Sequence, residues 1–198
     1  MQLEPGEQLV DLQFAGLQLI QSEKVLKFGT DSVLLASFIR LNRREKLVDL
    51  GTGTGILPVL LSGRVQAEMV GIELQPEAAE LARRNVRLNG LERVHIVQGD
   101  LKNAAELVGQ ADVVCCNPPY DKPLAGGMKE QPELRIARYE IACTLEDVVK
   151  SAASLLSTGG RFYMVHRACR LAEIIFCLKT HRLEPKVLRT ICKHAQAE

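Results

Sequence analysis

The chain has 198 residues, of which 46% are hydrophobic and 25% are charged, and its formal net charge is +1. This length suits one domain with a sizeable buried core, and the composition excludes a disordered or repetitive chain. No apolar run is long enough to cross a membrane, and the N-terminal sequence MQLEPGEQ does not resemble a signal peptide. We therefore expect a globular protein without a membrane partner.

The six cysteines are scattered along the chain, without a CxxC spacing or a cluster of cysteine and histidine. Structural zinc sites and dithiol redox motifs require such spacings. We therefore expect reduced thiols, a cytoplasmic location and no bound metal.

The first 45 residues predict a short extension ahead of the main domain. LVDLQFAGLQLIQS, residues 9–22, is typical of a β-hairpin with Gly16 in its turn. FGTDSVLLASFIRL, residues 28–41, is typical of a capped helix. We assign residues 1–45 to this hairpin and helix, and residues 46–198 to the main domain.

The main domain alternates between segments of strand and helix character. The predicted strands are KLVDL (46–50), MVGIEL (69–74), VHIVQGD (94–100), ADVVCC (111–116) and RFYMVH (161–166). The predicted helices are ILPVLLSGR (56–64), EAAELARRNVRLNG (77–90), TLEDVVKSAASLLSTGG (144–160) and RLAEIIFCLKTHRLEP (170–185). A weaker helical stretch lies between the third and fourth strands.

This alternation predicts an α/β fold with a doubly wound, mostly parallel sheet that helices cover on both faces. Ligands of such sheets bind beyond the carboxyl ends of the strands. The residues that directly follow each strand are therefore the candidates for function.

The first strand ends in DLGTGTG, which places Gly51, Gly53 and Gly55 in the turn before the first helix. Glycines there allow a ligand to approach the main chain closely. The G-x-G-x-x-G pattern of nicotinamide-binding proteins does not fit, because the third glycine position falls on Ile56 or Pro58. Further acids close the next two strands and are suited to the ribose hydroxyls and the adenine amine of a nucleoside.

With the glycine turn after the first strand and an acid at the end of each of the next two strands, the chain from residue 46 onward resembles the class I S-adenosylmethionine-dependent methyltransferases. The resemblance implies S-adenosyl-L-methionine as the cofactor, with the glycine turn along its methionine portion. It also implies that the acid after the second strand binds ribose and that the acid after the third strand lies near adenine. The implied cofactor-binding residues of this part are Asp49, Gly51, Gly53, Gly55, Glu73 and Asp100.

The fourth predicted strand runs into CCNPPYDKP, residues 115–123. Pro118 and Pro119 fix their own backbone angles and cannot donate to a sheet, so the chain must leave the sheet there. Pro118 also keeps Asn117 out of the helical region. We expect a rigid corner that presents the Asn117 amide, with Tyr120 as an aromatic face beside it.

This corner suits methylation of a planar amine, whose nitrogen is a poor nucleophile because its lone pair is delocalised. The Asn117 side-chain oxygen and the Pro118 carbonyl are candidate acceptors for the amine hydrogens, and Tyr120 is a candidate stacking platform. We therefore interpret Asn117, Pro118, Pro119 and Tyr120 as the catalytic motif.

The NPPY motif alone leaves the amine open. It occurs in adenine-N(6) methyltransferases of DNA and RNA, in guanine exocyclic-amine methyltransferases of ribosomal RNA, and in N5-glutamine methyltransferases of release factors. LKFGTDSVLLASFI (26–39), together with NPPY and ARYE (137–140), resembles the bacterial adenine-N(6) methyltransferases of valine tRNA. The glutamine enzymes usually carry a larger helical domain before the glycine turn, where this chain has only 50 residues.

This second resemblance implies N(6)-methyladenine formation near the anticodon of tRNA. It also implies that a segment before the first strand approaches the methionine end of the cofactor, namely Phe28, Gly29, Thr30 and Asp31. Asp31 has an alternative interpretation as a plain helix cap. A cofactor-binding fragment without catalysis is a further alternative for the chain.

Basic residues outnumber acids in the last part of the chain, with eight lysines and arginines against three acids from Arg161 onward. A second basic cluster is RLNRREK, residues 40–46. Both are typical of either a solvated surface or an RNA-binding surface. Residues 121–138 are a candidate substrate loop. PKVLRTICK (185–193) is a candidate sixth strand, after which the last strand usual for this fold is expected to be missing.

Overall fold

The computed structural model describes residues 2–120 and 143–192. The candidate substrate loop at 121–138 and the ARYE motif at 137–140 lie outside these residues. Among the helices within the described ranges, none has the length and apolar character that a membrane span requires.

The main sheet has five parallel strands in the order β5-β4-β3-β6-β7. A separate two-stranded hairpin precedes it. The hairpin is β1 (Glu7–Asp11) and β2 (Gln18–Ser22), and the sheet is β3 (Lys46–Leu50), β4 (Glu68–Glu73), β5 (Val94–Gln98), β6 (Ala111–Cys116) and β7 (Leu156–Met164). The order reverses at β3 and β6, so the carboxyl ends of these neighbouring strands flank the crevice in which doubly wound folds bind ligands.

The described residues contain six α-helices. They are α1 (Thr30–Phe38), α2 (Ile56–Ser62), α3 (Pro76–Leu88), α4 (Ala104–Val108), α5 (Leu145–Leu155) and α6 (Leu171–Thr180). α3 begins with proline at its first position, where the missing N–H costs nothing. α5 begins with a capping box, in which Thr144 and Asp147 satisfy each other's backbone N–H groups. These elements confirm the predicted α/β fold.

Both faces of the sheet are buried because alternate residues of each strand enter different cores. In β3, Leu47 packs with residues of α1, α2 and α3, whereas Val48 and Leu50 pack with residues of α4 and α5. This double burial explains why the strands are continuously apolar rather than alternating. It also leaves the strand ends as the place where polar groups can gather.

The N-terminal hairpin and α1 pack against the main sheet. Gly16 lies in the hairpin turn with a φ of 70°, as the sequence predicts. Leu19 of the hairpin and Leu35 of α1 share one buried cluster with Leu47 of the first sheet strand. The residues assigned to an extension therefore contribute to the core of the main domain.

Two predictions about the C-terminal part are wrong. The helix predicted to end at Gly159 and Gly160 ends at Leu155, because β7 begins at Leu156 and a register shift against β6 accommodates the extra residues. Residues 185–192, the described part of the predicted sixth strand, form no strand. The apolar residues of this segment do not alternate with polar ones, so a strand here would have no apolar face to bury. The side chains of Val187 and Leu188 accordingly remain 72% and 65% exposed.

Candidate active site

A cavity of about 500 Å³ opens at the carboxyl ends of β3, β4 and β6. Twelve of the predicted site residues line it, namely Phe28, Gly29, Asp31, Asp49, Gly51, Gly53, Glu73, Asp100, Asn117, Pro118, Pro119 and Tyr120. Thr30 and Gly55 are not among the lining residues. The glycine turn and the NPPY corner, which are more than sixty residues apart in sequence, therefore face one cavity.

The glycine turn follows β3 and keeps its backbone close to the cavity. Gly51 and Gly53 have φ values of 70° and 57°, in the region that favours glycine. Gly55, with a φ of 80°, begins α2 and lies against α3 instead, where an added Cβ would stand 3.4 Å from the Ala82 Cβ. Gly51 and Gly53 thus shape the cavity floor, whereas Gly55 permits close packing of two helices.

Glu73 ends β4 and is fixed by backbone donors on both of its oxygens. Its Oε2 accepts from the Gly53 N–H and its Oε1 accepts from the Gln75 N–H, each at 2.9 Å. Burial raises the pKa of Glu73 above its ordinary value, although these backbone donors oppose the rise. Each carboxylate oxygen still has a lone pair, so Glu73 can accept from two adjacent hydroxyl groups of a ligand.

Asp49 lies beneath the glycine turn and is 1% exposed. Its Oδ1 accepts from the Cys115 thiol at 3.4 Å, and its Oδ2 has no hydrogen-bond partner among the described residues. Burial raises the pKa of Asp49 to about 7, although Thr52 and Cys115 oppose the rise. A buried carboxyl group with an unsatisfied oxygen in a cavity wall is suited to a polar or cationic group of a ligand.

Asp100 follows β5 and begins a short 3-10 helix. Its Oδ1 accepts from the Lys102 N–H at 2.9 Å, which fixes the orientation of the carboxylate. At the other end of the cavity, Phe28 and Gly29 precede α1, and Phe28 packs against the apolar core. Gly29 is the residue that caps α1, so Asp31 is not the N-cap.

The NPPY corner leaves the sheet directly after Cys116 of β6. Asn117 donates from Nδ2 to the Ser32 hydroxyl at 2.9 Å, and its Oδ1 forms a short hydrogen bond with the Tyr120 hydroxyl. Ser32 is 2% exposed and lies in the first turn of α1. The orientation of the Asn117 amide is therefore set by a residue 85 positions earlier in the chain.

Tyr120 is held from three sides. Its hydroxyl lies 3.1 Å from Asp31 Oδ2, its ring centroid lies 5.3 Å from that of His166, and its carbonyl accepts from Arg170 at 3.2 Å. Burial raises the pKa of Tyr120 well above its ordinary value, and Asp31 adds to the rise. Tyr120 is therefore a neutral phenol over the physiological pH range, with one ring side near His166.

Four residues of this site were missed by the sequence reasoning. Ser32, His166 and Arg170 contact the NPPY corner, and Arg167 lines the cavity. Ser32 adjoins the FGTD segment, which gave a weak signal for it. No motif marks the other three, which reach the site because they follow β7 at the same edge of the sheet.

The described segments contain no group of three or more histidine, cysteine or acidic side chains that could hold a metal ion. The acids that line the cavity are instead contributed singly by separate segments, namely Asp31, Asp49, Glu73 and Asp100.

Residues 11–180 match the family model of the methyltransferase small domain. A curated relative, the tRNA1(Val) (adenine(37)-N6)-methyltransferase of Yersinia enterocolitica, is 34% identical over 144 residues, which are 71% of this chain and 57% of the relative. The enzyme of the same name from Yersinia pseudotuberculosis is 33% identical over 71% of this chain and 56% of its own length. The chain thus spans just over half the length of these curated relatives.

Solved structures share the fold at low sequence identity. The S-adenosylmethionine-dependent methyltransferase of Agrobacterium tumefaciens superposes with a TM-score of 0.62 at 14% identity, covering 92% of this chain and 60% of that one. TrmN from Thermus thermophilus gives a TM-score of 0.55 at 22% identity, covering 80% and 42%. These likenesses support the fold, and the matched family model covers most of the chain. The chain therefore belongs to the methyltransferase small domain family.

Proposed function

We propose that this chain transfers a methyl group from S-adenosyl-L-methionine to the exocyclic N6 of adenine in tRNA, near the anticodon. The observation that carries the proposal is that the glycine turn and the NPPY corner line the same cavity. One cavity with both features has room for a cofactor beside a planar amine, which the reaction requires.

The cavity residues fit S-adenosylmethionine. The open backbone of Gly51 and Gly53 allows close approach of the cofactor, and the remaining lone pairs of Glu73 match a pair of ribose hydroxyls. Asp100, beyond the neighbouring strand end, is available to the adenine amine. The unsatisfied Oδ2 of Asp49 supplies an acceptor for the cationic methionine end.

The cofactor supplies an electrophilic methyl group on a sulfonium. The protein's part is to bind and orient the amine that receives it. Asn117 Oδ1 and the Pro118 carbonyl are neutral acceptors for the two amine hydrogens, and hydrogen bonds to them favour a pyramidal, more nucleophilic nitrogen. The Tyr120 ring offers a stacking surface that aligns the base. Neutral acceptors suffice because the methylated product sheds its extra proton readily.

Support for tRNA as the substrate comes from the names of the curated relatives and from the charges around the cavity. Lys27 and Arg167 line the cavity, whereas the exposed Arg40, Arg43 and Arg44 precede β3 and lie at the opposite edge of the sheet. Cations near the site are suited to the phosphates that flank a flipped or unstacked base. A tRNA substrate also implies a cytoplasmic location, which we propose together with it.

The proposal is tested by incubating the chain with S-adenosylmethionine and unmodified tRNA, followed by mass spectrometry of the nucleosides. We expect N6-methyladenosine in the tRNA. In parallel, radiolabelled cofactor is supplied with ribosomal RNA and with a release factor. Label only in a release factor would select the glutamine reaction, and methylguanosine would select the ribosomal RNA reaction. Cofactor binding without transfer to any of these would select the non-catalytic alternative.

A further inference from the structure

We infer that Asp31 is a positioning residue that draws the single proton of the Tyr120 hydroxyl away from Asn117 Oδ1 when the substrate amine binds there. The inference rests on the proposed function and assigns Asp31 a role toward the substrate rather than the cofactor. The three side chains involved are Asp31 of α1 and Asn117 and Tyr120 of the NPPY corner.

The Tyr120 hydroxyl stands between two acceptors. Asp31 Oδ2 lies 3.1 Å away, and Asn117 Oδ1 lies within a short hydrogen bond on the other side. A phenol carries one proton and can donate to only one of them at a time. Because the pKa of Tyr120 is raised, the phenol keeps this proton at physiological pH. Asp31 and Asn117 therefore compete for a single donor.

The amide of Asn117 is already engaged on its nitrogen side. Ser32, buried in the first turn of α1, accepts from Asn117 Nδ2 at 2.9 Å, which turns Oδ1 toward Tyr120 and the cavity. The same turn of α1 carries Asp31. One helical turn therefore sets both the direction of the amide and the direction of the phenol proton.

In this structure the shorter hydrogen bond of the phenol is the one to Asn117 Oδ1. Because a hydrogen bond to a carboxylate is about twice as strong as one to a neutral amide oxygen, Asp31 lowers the cost of turning the phenol proton away from Asn117. When an incoming amine reaches Asn117 Oδ1, the phenol turns its proton to Asp31 and leaves the amide oxygen to the substrate. Asparagine at position 31 would be a neutral acceptor of the same strength as Asn117. The phenol would then continue to donate to Asn117 Oδ1 and compete with the substrate for it.

The test is a double-mutant cycle in the full chain, measured as kcat/KM for methyl transfer to tRNA. Asp31→Asn is expected to lower kcat/KM by about tenfold, the size of a hydrogen bond to a charged group. In the Tyr120→Phe background, where the competing proton is absent, Asp31→Asn is expected to change kcat/KM by less than about twofold. Ser37→Ala, an exposed substitution on the same helix, is the matched control and should leave kcat/KM unchanged.

Equal losses in both backgrounds would overturn the inference, because Asp31 would then act independently of the Tyr120 hydroxyl. A rise of about tenfold in the Kd for S-adenosylmethionine on Asp31→Asn would also overturn it, since Asp31 would then contact the cofactor. We expect this Kd, measured by calorimetry, to change by less than about twofold.

A second measurement does not depend on activity. In protein labelled with ¹³C at the tyrosine Cζ, the Tyr120 signal can be assigned by its loss in Tyr120→Phe. Asp31→Asn is expected to shift this signal, because the phenol loses its charged acceptor and donates more fully to Asn117 Oδ1. An unshifted signal would overturn the inference. Absence of methyl transfer by the wild-type chain would instead defeat the proposed function, and the Tyr120 signal would still decide where the proton lies.

Discussion

Glu73 at the end of β4 accepts a 2.9 Å hydrogen bond from the backbone N–H of Gly53 in the turn after β3. This bond joins two neighbouring strand ends and fixes the cavity side of the glycine turn. The carboxylate stays oriented because its other oxygen accepts from the Gln75 N–H. The same side chain therefore shapes the turn and presents acceptors to the cavity.

Replacing Glu73 by glutamine is expected to weaken binding of S-adenosylmethionine by about tenfold or more. The NH₂ group of the glutamine would face either the Gly53 N–H or the Gln75 N–H, so one donor would meet another donor. The loss of a charge-assisted hydrogen bond costs about 1.5–3 kcal/mol. Calorimetric titration of the cofactor measures the effect. Glu77→Gln, at an exposed acid in the first turn of α3, is the control and should bind the cofactor like the wild type.

Asn117→Ala is expected to abolish methyl transfer while changing the cofactor Kd by less than about threefold. The substitution removes the proposed acceptor for the substrate amine but leaves Glu73 and the glycine turn in place. Single-turnover transfer to tRNA and cofactor titration are measured on the same preparation. Asn103→Ala, at an exposed position before α4, is the control. A matching loss of cofactor binding would show that Asn117 has a structural rather than a catalytic role.

Asp49 is expected to make the stability of the cofactor-free protein depend on pH. Burial raises its pKa from 3.8 to about 7 in the folded state, so between about pH 4 and pH 7 the folded chain holds a proton that the unfolded chain has released. The free energy of unfolding should therefore fall as the pH rises through this window and level off above about pH 7. For one proton the slope is at most about 1.4 kcal/mol per pH unit.

Asp49→Asn isolates this contribution, because every other titrating group is common to both proteins. Urea denaturation of the two proteins at several values between pH 5 and pH 8.5 gives the difference in the free energy of unfolding. We expect the wild type to lose stability relative to the variant up to about pH 7. A difference that stays constant from pH 5 to pH 7 would mean that the Asp49 carboxyl is already ionised there.

Gly71→Ala is expected to disturb the glycine turn, because the added methyl group on β4 would press against Thr52 of the turn. A Cβ at Gly71 of β4 would stand 2.7 Å from the Cγ2 and Oγ1 atoms of Thr52, which is buried within the turn. Overpacking of this kind typically costs 1–3 kcal/mol, and here it displaces a cavity-lining residue. We expect the cofactor Kd to rise by about tenfold in the folded variant, as measured by calorimetry.

Gly63→Ala is the control for that substitution. Its Cβ would come within 2.7 Å of the partly exposed Phe14 ring, so the overlap is similar in size but remote from the lining of the cavity. Some stability is lost in both variants. A loss of cofactor affinity in Gly63→Ala as large as in Gly71→Ala would contradict a specific effect on the turn.

The meeting of the glycine turn and the NPPY corner was predictable from the sequence, because parallel strands bring their carboxyl ends to one edge of a sheet. Asp49 lies one residue before the end of β3, Glu73 ends β4 and Asn117 directly follows β6, and the apolar pattern of each of these strands is unambiguous. Local patterns fix such positions, and the topology of the fold then brings them together.

The contacts between α1 and the corner were not predictable in the same way. Ser32 and Asn117 are 85 residues apart, and Asp31 and Tyr120 are 89 apart, with no periodic pattern that links them. The end of α5 at Leu155 also escaped prediction, because a sheet register shift outweighs the glycine signal at Gly159. Tertiary packing decides these features, so a single sequence carries little information about them.

In α3, two side-chain amides pair with the edge of the N-terminal hairpin. Asn85, fully buried, accepts from the Ile20 N–H at 2.6 Å and donates to the Ile20 carbonyl at 3.1 Å and the Thr54 carbonyl at 2.9 Å. One turn later, Asn89 accepts from the Gln18 N–H at 2.9 Å and donates to the Gln18 carbonyl at 2.7 Å. The two amides extend the backbone pairing of β2 and connect it to the glycine turn.

Asn85→Ala leaves three buried backbone groups without partners and is expected to lower the free energy of unfolding by about 3 kcal/mol. Asn89→Ala removes the equivalent pairing at a partly exposed position, where water can replace the amide, and should cost about 1 kcal/mol. Urea denaturation of both variants measures the difference. Equal and small losses would mean that the hairpin is held mainly by Leu17 and Leu19, whose apolar side chains lie in the core. The larger loss at Asn85 would instead show that hydrogen bonding to α3 fastens the first residues of the chain to the fold.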